Sequence, residues 1–298
     1  MKVGRRTIEL SNTGKVLFPD DELTKGDLVE YYETVGPWMV PYLKQRPLSL
    51  ERYPDGIDAQ QLFHQNVPKY FPDWLETAAV DRVDGSGQVT HPVVRDTASL
   101  VYLANQACIT PHAWLSRADR VHNPDQLIFD LDPPDGFEAA RRAALDVRAL
   151  LEELGLPATV KTTGGKGLHV HVPLDRTADF DTARAFARDV AGVLVKHDSK
   201  RYTIEQRKNA RRGRLYLDIM RNAFGQTAVP PYAVRARPGA PVATPLDWSE
   251  LDDPKFRADH YTLQTVPDRL ERDGDPWPRL RGRSLTKPRQ RLEALVTS

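Results

Sequence analysis

The stretch LIFDLDPP, residues 127–134, runs from three apolar residues into two aspartates and stops at two prolines. Alternation along a strand turns Asp130 and Asp132 to one face and Phe129 and Leu131 to the other. Apolar side chains seek a core, so one face of this sheet is expected to be buried while the opposite face presents paired carboxylates. Two like charges that close do not both stay ionised unless solvent screens them; otherwise one takes up a proton or a cation sits between them. Because Pro133 and Pro134 end the strand at once, the pair is expected at a sheet edge that opens on a cleft.

A second stretch, RLYLDIM at 214–220, offers a matching group. Leu215 and Leu217 alternate with Tyr216 and Asp218, and a lone carboxylate in an apolar strand calls for a partner. Asp218 is therefore expected to complete a site with Asp130 and Asp132. Three carboxylates with little else form a hard-oxygen donor set suited to Mg²⁺ or Mn²⁺, which keep several waters and take the rest of their shell from substrate phosphates. Two such ions, about 3.5–4 Å apart, activate an attacking hydroxyl and stabilise a leaving pyrophosphate. Two other readings stand beside this one. A turn or surface acid pair needs no ion, and an apolar run followed by DxD also resembles the nucleophile motif of haloacid-dehalogenase-type phosphatases. That motif wants Thr or Val soon after the second aspartate, where this chain has Pro133 and Pro134.

Outward from these strands, the periodicity predicts helices over Thr24–Tyr42, with Thr24 as N-cap and Asp27 three residues on, and over Thr97–Ile109, Phe137–Leu154 and Phe180–Lys196. Gly155 is placed to end the third. Strands are predicted at Leu127–Asp132, Thr159–Thr163, Leu168–Leu174 and Arg214–Met220. The order from residue 127 is strand, helix, hairpin, helix, strand. A hairpin breaks the alternation that a doubly wound parallel sheet needs, so the fold class is α+β, or mixed α/β, with antiparallel pairing. Neither a repeat nor a proline-rich linker marks a domain boundary.

The hairpin turn lies in TVKTTGGKGLHVHVPL, residues 159–174. Glycines let backbone N–H groups face an anion, and Thr163 and Lys166 add donors, so the turn reads as a phosphate cradle. It is not a Walker loop: Gly167 follows the lysine where Ser or Thr is required, and a strand follows in place of a helix. His169 and His171 share one strand face, His169 being the better placed to donate to a phosphate. Without cysteine or a third histidine in register, zinc is not expected.

The chain has 298 residues, 40% of them hydrophobic, and a formal net charge of +1. That charge conceals an asymmetry. Between Lys200 and Arg237 there are ten Lys and Arg against Glu205 and Asp218, a local excess of eight positive charges, which is a surface that attracts phosphates or a solvated basic loop. The single cysteine, Cys108, excludes an intramolecular disulfide and any cysteine-based zinc cluster, in keeping with a reducing cytoplasm. No secretion signal and no run of about eighteen apolar residues is present, so no membrane partner is expected. The basic stretch Arg279–Arg291 reads as a disordered tail or a DNA contact.

Taken in order, VLFPD, LTKGDLVEYY, RYPDG, AWLSR, DQLIFDLDPP, KTTGGKGLHV and LDIMRN make the chain similar to the polymerase module of bacterial DNA ligase D, within the archaeo-eukaryotic primase superfamily. The resemblance implies a primase-like fold of largely antiparallel sheets flanked by helices. It implies one catalytic domain over 1–298, with a DNA-binding part at about 1–110, a catalytic part at about 111–298, and no ligase or nuclease domain. It further implies a template-dependent primase-polymerase that extends a primer 3′-hydroxyl and fills short gaps in non-homologous end joining, with a taste for ribonucleotides and for manganese. Asp130, Asp132 and Asp218 take the place of the metal ligands, Thr163, Lys166 and His169 that of the nucleotide-phosphate motif. Arg211, Arg221 and Arg235 match basic positions around the nucleotide, and His112 a histidine needed for activity. Asn12, Lys15 and Lys25 would hold the 5′-phosphate of gapped or broken DNA. Where relatives tend to read Phe-Phe-Gln-Lys, this chain has Leu62, Phe63, His64 and Gln65, which leaves Phe63 as the stacking surface for template DNA, worth roughly 1–3 kcal/mol per base. Ku and a separate DNA ligase are the protein partners implied, at the nucleoid in the cytoplasm. A DNA-end-binding module without chemistry remains the non-enzymatic alternative.

Overall fold

The computed structural model describes residues 1–297 and divides into two compact units, each assembled from separated pieces of chain. The first comprises residues 1–119, 227–244 and 259–275; the second comprises 120–226, 245–258 and the chain from 276 onward.

In the first unit, helix α1 (Lys25–Leu43) starts where its sequence says it should. Thr24 accepts from the Asp27 amide, and the Asp27 carboxylate accepts from the Thr24 amide, a reciprocal cap on two N–H groups that the helix itself leaves unpaired. Its buried stripe includes Leu28, Tyr32, Val35, Met39 and Leu43, and it packs against α2 (Thr97–Asn105). Strand β1 (Leu48–Arg52) and strand β2 (Leu62–His64) are followed by a separate hairpin, β3 (Thr77–Asp81) with β4 (Gln88–Pro92). Strand β5 (Cys108–Trp114) completes a four-stranded sheet in the order Thr227–Ala228, β5, β1, β2. The helix expected over Thr97–Ile109 is therefore too long. It ends at Asn105 because Ala107 takes a left-handed φ of +56° and Cys108 begins β5.

In the second unit, a six-stranded sheet contains β6 (Gln126–Asp132), β7 (Thr159–Thr162), β8 (Leu168–Pro173) and β9 (Leu215–Asp218). The order is Tyr202–Thr203, β9, β6, β8, β7, Pro245–Leu246, antiparallel throughout except for the pairing of Tyr202–Thr203 with β9. Helices α3 (Glu138–Glu153) and α4 (Phe180–His197) pack on it. Phe129, Leu131, Val170, Leu168 and Leu217 are fully buried, each such side chain stabilising by about 1.5–3 kcal/mol on transfer from water. Antiparallel sheets with helices bear out the expected fold class.

Two local devices shape this sheet. Beyond the last backbone pair of β6 with β9, the Asn222 side chain continues the ladder, accepting from the Ile128 amide at 2.8 Å and donating to the Ile128 carbonyl at 2.7 Å. The stretch Arg279–Arg291 is not a disordered tail. Arg283 exchanges backbone hydrogen bonds with Pro173 and Asp175, Leu285 and Leu292 are buried, and Arg289 on the helix Thr286–Thr297 pairs with Asp189 of α4.

Candidate active site

The register of the second sheet places four chemically pointed side chains in one transverse row. Asp218 on β9 lies directly opposite Asp130 on β6; Asp130 lies opposite His169 on β8; His169 lies opposite Lys161 on β7. Residues directly opposite in an antiparallel pair share a face, so the row reads acid, acid, imidazole, amine across four strands. Asp132, two residues beyond Asp130, stands on the same face opposite Tyr216. The three carboxylates singled out from the sequence are thus brought to one side of the sheet, next to the strand end at Pro133.

Their electrostatics differ. Asp130 is only 7% exposed. Burial alone would raise its pKa, but His169 at 3.3 Å, Arg221 at 3.4 Å and the charge of Lys161 outweigh it and hold the carboxyl down to about 2. Asp132 goes the other way: desolvation, then the negative charges of Asp130 and Asp218, push it up to about 6. Burial and Asp130 also raise Asp218, although the Met220 amide donates to it at 2.7 Å and the Tyr216 hydroxyl at 3.2 Å. Burial and the neighbouring Lys161 charge lower His169 to about 4, so its ring is neutral near pH 7. With Nε2 facing the Asp130 carboxylate, the proton sits on Nε2 and the buried Nδ1 is left without a partner. In that state His169 steadies Asp130; donating to a phosphate, the role expected of it, requires a second proton.

Among the described residues no three His, Cys, Asp or Glu side chains are drawn close enough to cage a metal ion as they stand. The donor chemistry nevertheless fits a hard divalent cation: three carboxylates on one face, two of them with acidity suppressed by burial and by neighbouring negative charge. This has a measurable consequence. The folded-state value of Asp132, about 6, exceeds its ordinary 3.8, so between those values the folded state binds the extra proton. The stability it contributes is present at low pH and lost as pH rises through 6. In metal-free buffer Asp132→Asn is therefore expected to gain stability relative to the parent protein as pH rises from about 4 to about 7. Added Mn²⁺ reverses that ranking by stabilising the parent; denaturant midpoints with and without the ion check it.

Around the row lie the expected anion-binding groups. In the glycine turn Thr163 is committed to closing the loop, its hydroxyl bonding the Gly167 carbonyl at 3.1 Å and accepting from the Gly167 amide at 3.3 Å. Lys166, at the tip, is exposed. Arg221 reaches Asp130, while Arg211 lies 4.0 Å over the Tyr216 ring and donates to the carbonyls of Glu205 and Gln206. Lys161, fully buried, is the member of the row not expected from the sequence; its signal is an amine within the strand TVKT, whose four residues are all buried.

The remaining expected residues fall in the first unit. His112 on β5 is held by Glu51 of β1, Nε2 to Oε2 at 2.6 Å, and Glu51 also accepts from the Tyr53 hydroxyl at 2.9 Å. Burial disfavours the Glu51 charge, but the His112 and Tyr53 hydrogen bonds and the Arg235 charge prevail and lower its pKa. Arg235 thus belongs with Glu51 and Tyr53. Phe63, 49% exposed, sets its ring edge-on to His112. Asn12, Lys15 and Lys25 gather at one turn: the Lys15 amide donates to the Asn12 carbonyl and the Lys25 amide to the Lys15 carbonyl. Lys25 is buried, and burial with the nearby Lys15 charge lowers its pKa. Lys15 Nζ meets the Asp55 carboxylate at 2.5 Å, and Lys25 Nζ donates to the Asn105 carbonyl at 3.0 Å.

Residues 24–277 match the family described as LigD, primase-polymerase domain. The multifunctional non-homologous end joining protein LigD of Mycolicibacterium smegmatis is 33% identical over 272 residues, covering 90% of this chain and 35% of that protein. The bifunctional non-homologous end joining protein LigD of Bacillus subtilis is 30% identical over 273 residues, covering 91% and 43%. The chain therefore spans less than half the length of these relatives. Among solved structures, the polymerase domain from Mycobacterium tuberculosis ligase D in complex with DNA superimposes with a TM-score of 0.85 at 32% identity, over 90% of this chain and 96% of that one. These matches set aside the phosphatase reading of Asp130. With sequence and fold agreeing over nearly the whole chain, it belongs to the LigD primase-polymerase family and is a nucleotidyltransferase.

Proposed function

We propose that this chain extends a primer 3′-hydroxyl along a template and fills short gaps at broken DNA ends in non-homologous end joining. The observation that carries the reading is the transverse row Asp218, Asp130, His169, Lys161, with Asp132 beside it. Asp130, Asp132 and Asp218 are the residues to hold Mn²⁺ or Mg²⁺. Two such ions, when bound, lower the pKa of the attacking hydroxyl and offset charge on the leaving pyrophosphate. The protein's own groups do the rest. His169, Arg221 and Lys161 keep Asp130 ionised. Lys166, Arg211 and Arg221 supply fixed positive charge for a triphosphate, worth most where water is excluded. The glycine turn, closed by Thr163, gives backbone N–H groups a path to the same phosphates.

In the first unit, Asn12, Lys15 and Lys25 form the contact for a DNA 5′-phosphate, Phe63 stacks on template, and His112 and Arg235 serve the incoming nucleotide. A preference for ribonucleotides and manganese, action beside Ku and a separate ligase, and residence at the nucleoid belong to the same proposal. No helix among the described residues is long and apolar enough to cross a membrane. Primer extension on nicked, gapped and overhanging substrates, with ribo- or deoxynucleotides and Mn²⁺ or Mg²⁺, tests the reading. Template-directed addition at gaps that needs a divalent ion and favours ribonucleotides with Mn²⁺ is expected; addition that ignores template sequence contradicts it.

A further inference from the structure

Arg52 is a buried guanidinium, 7% exposed, without a carboxylate partner among the described residues. Its Nε donates to the Gln106 carbonyl at 2.7 Å, and its Nη1 lies 2.7 Å from the Tyr70 hydroxyl and 3.3 Å from His64 Nδ1. All three partners are neutral: burial and the Arg52 charge both lower the His64 pKa. A buried cation in neutral company carries a desolvation penalty that an anion would relieve.

Tyr70 is the second half of the observation. Its hydroxyl is tethered to Arg52, yet the residue is 62% exposed, more than Phe63. Its ring packs edge-on against Phe71 at 5.3 Å, and Phe71 packs in turn on Tyr102 of α2 at 5.2 Å. The exposed ring is thereby held at both ends, and stacking on it costs little side-chain entropy. Register separates this surface from the Phe63 surface. Phe63 pairs with Glu51, while Leu62 pairs with Arg52, so Arg52 and Phe63 face opposite sides of the edge strand β2.

We propose that Arg52, His64 and Tyr70 form a second nucleotide-binding surface on the β1–β2 edge, taking an unpaired nucleotide of a DNA strand with its base on the Tyr70 ring and its phosphate toward Arg52. An exposed aromatic beside an unneutralised guanidinium is the pairing that single strands require, a π-face for any base and a cation for the backbone. Tyr70 thus adds a stacking platform to the one supplied by Phe63. This inference deepens the polymerase reading and rests on it.

Binding of fluorescein-labelled duplexes, blunt or with a short unpaired overhang, is measured by anisotropy at fixed salt. Tyr70→Ser is expected to weaken overhang binding by about 5- to 100-fold and to leave binding of the blunt duplex and the affinity for nucleoside triphosphate unchanged. Tyr70→Phe, which keeps the ring, retains most of the overhang affinity. Arg52→Gln lowers the dependence of log affinity on log salt by about one charge on the overhang substrate. Overhang binding by Tyr70→Ser equal to wild type overturns the proposal, as does equal weakening on blunt and overhanging DNA, or a loss confined to free triphosphate. A parent protein that binds these DNAs but extends no primer contradicts the polymerase reading instead, with the Tyr70 comparison still legible.

Discussion

Asp218→Asn is expected to reduce primer extension by about three orders of magnitude or more, the scale on which charge stabilisation acts in phosphoryl transfer, with DNA binding kept. Asparagine preserves the shape and the contacts from the Met220 amide and Tyr216 while removing the charge that a divalent ion needs. Asp130→Ala should be at least as inactive, but its loss has two causes. Removing the Asp130 carboxylate takes away the acceptor that His169 Nε2 faces at 3.3 Å and Arg221 Nε at 3.4 Å, and a buried donor left without its partner destabilises by about 1–3 kcal/mol. Asp218 is therefore the variant in which chemistry and folding separate. A single-turnover assay beside a melting curve makes the distinction: Asp218→Asn inactive and stably folded, Asp130→Ala inactive and melting early.

The second large effect is at Gly167. A Cβ built there would lie 2.1 Å from the Leu131 carbonyl oxygen and 3.4 Å from Pro133 Cδ. The obstacle is backbone, so no side chain can swing aside; β8 must move off β6. That displaces His169 from Asp130, and a shift of about 1 Å at reacting groups lowers rates by about 10²-fold. Overpacking also destabilises by about 1–3 kcal/mol. Gly167→Ala should show both in turnover and in urea denaturation. Gly192→Ala in α4, where nothing lies within 4 Å of the added methyl, is the matched control and should lose neither.

How much of this was legible beforehand follows from which residues obey simple periodicity. The Thr24–Asp27 cap, helices α3 and α4 and the strands β6 to β9 announce themselves, because their apolar residues repeat at the spacing of the element and their ends carry recognisable stop signals. The DxD face and the position of Asp218 followed from alternation alone. The first unit was largely illegible. Strand β1 buries all five of LSLER, Glu51 and Arg52 included, and β5 contains Pro111 and runs on from α2 after only Gln106 and Ala107. Both depend on tertiary partners, His112 for Glu51 and Gln106 with Tyr70 for Arg52. Lys161 and the Asn222 ladder extension were hidden for the same reason: a polar residue's worth inside a sheet is set by the strand it meets, which local pattern does not encode.

On the proposed function, carboxylates from β6 and β9 converge on divalent ions where nucleotides are joined. Crystals of the protein grown with Mn²⁺, DNA and a non-hydrolysable nucleotide, measured for anomalous scattering at the manganese edge, test it most directly. Manganese is expected bound by oxygens of Asp130, Asp132 and Asp218 together with triphosphate oxygens. Those carboxylates pointing apart with no anomalous peak between them, in protein that still extends primers, would contradict it.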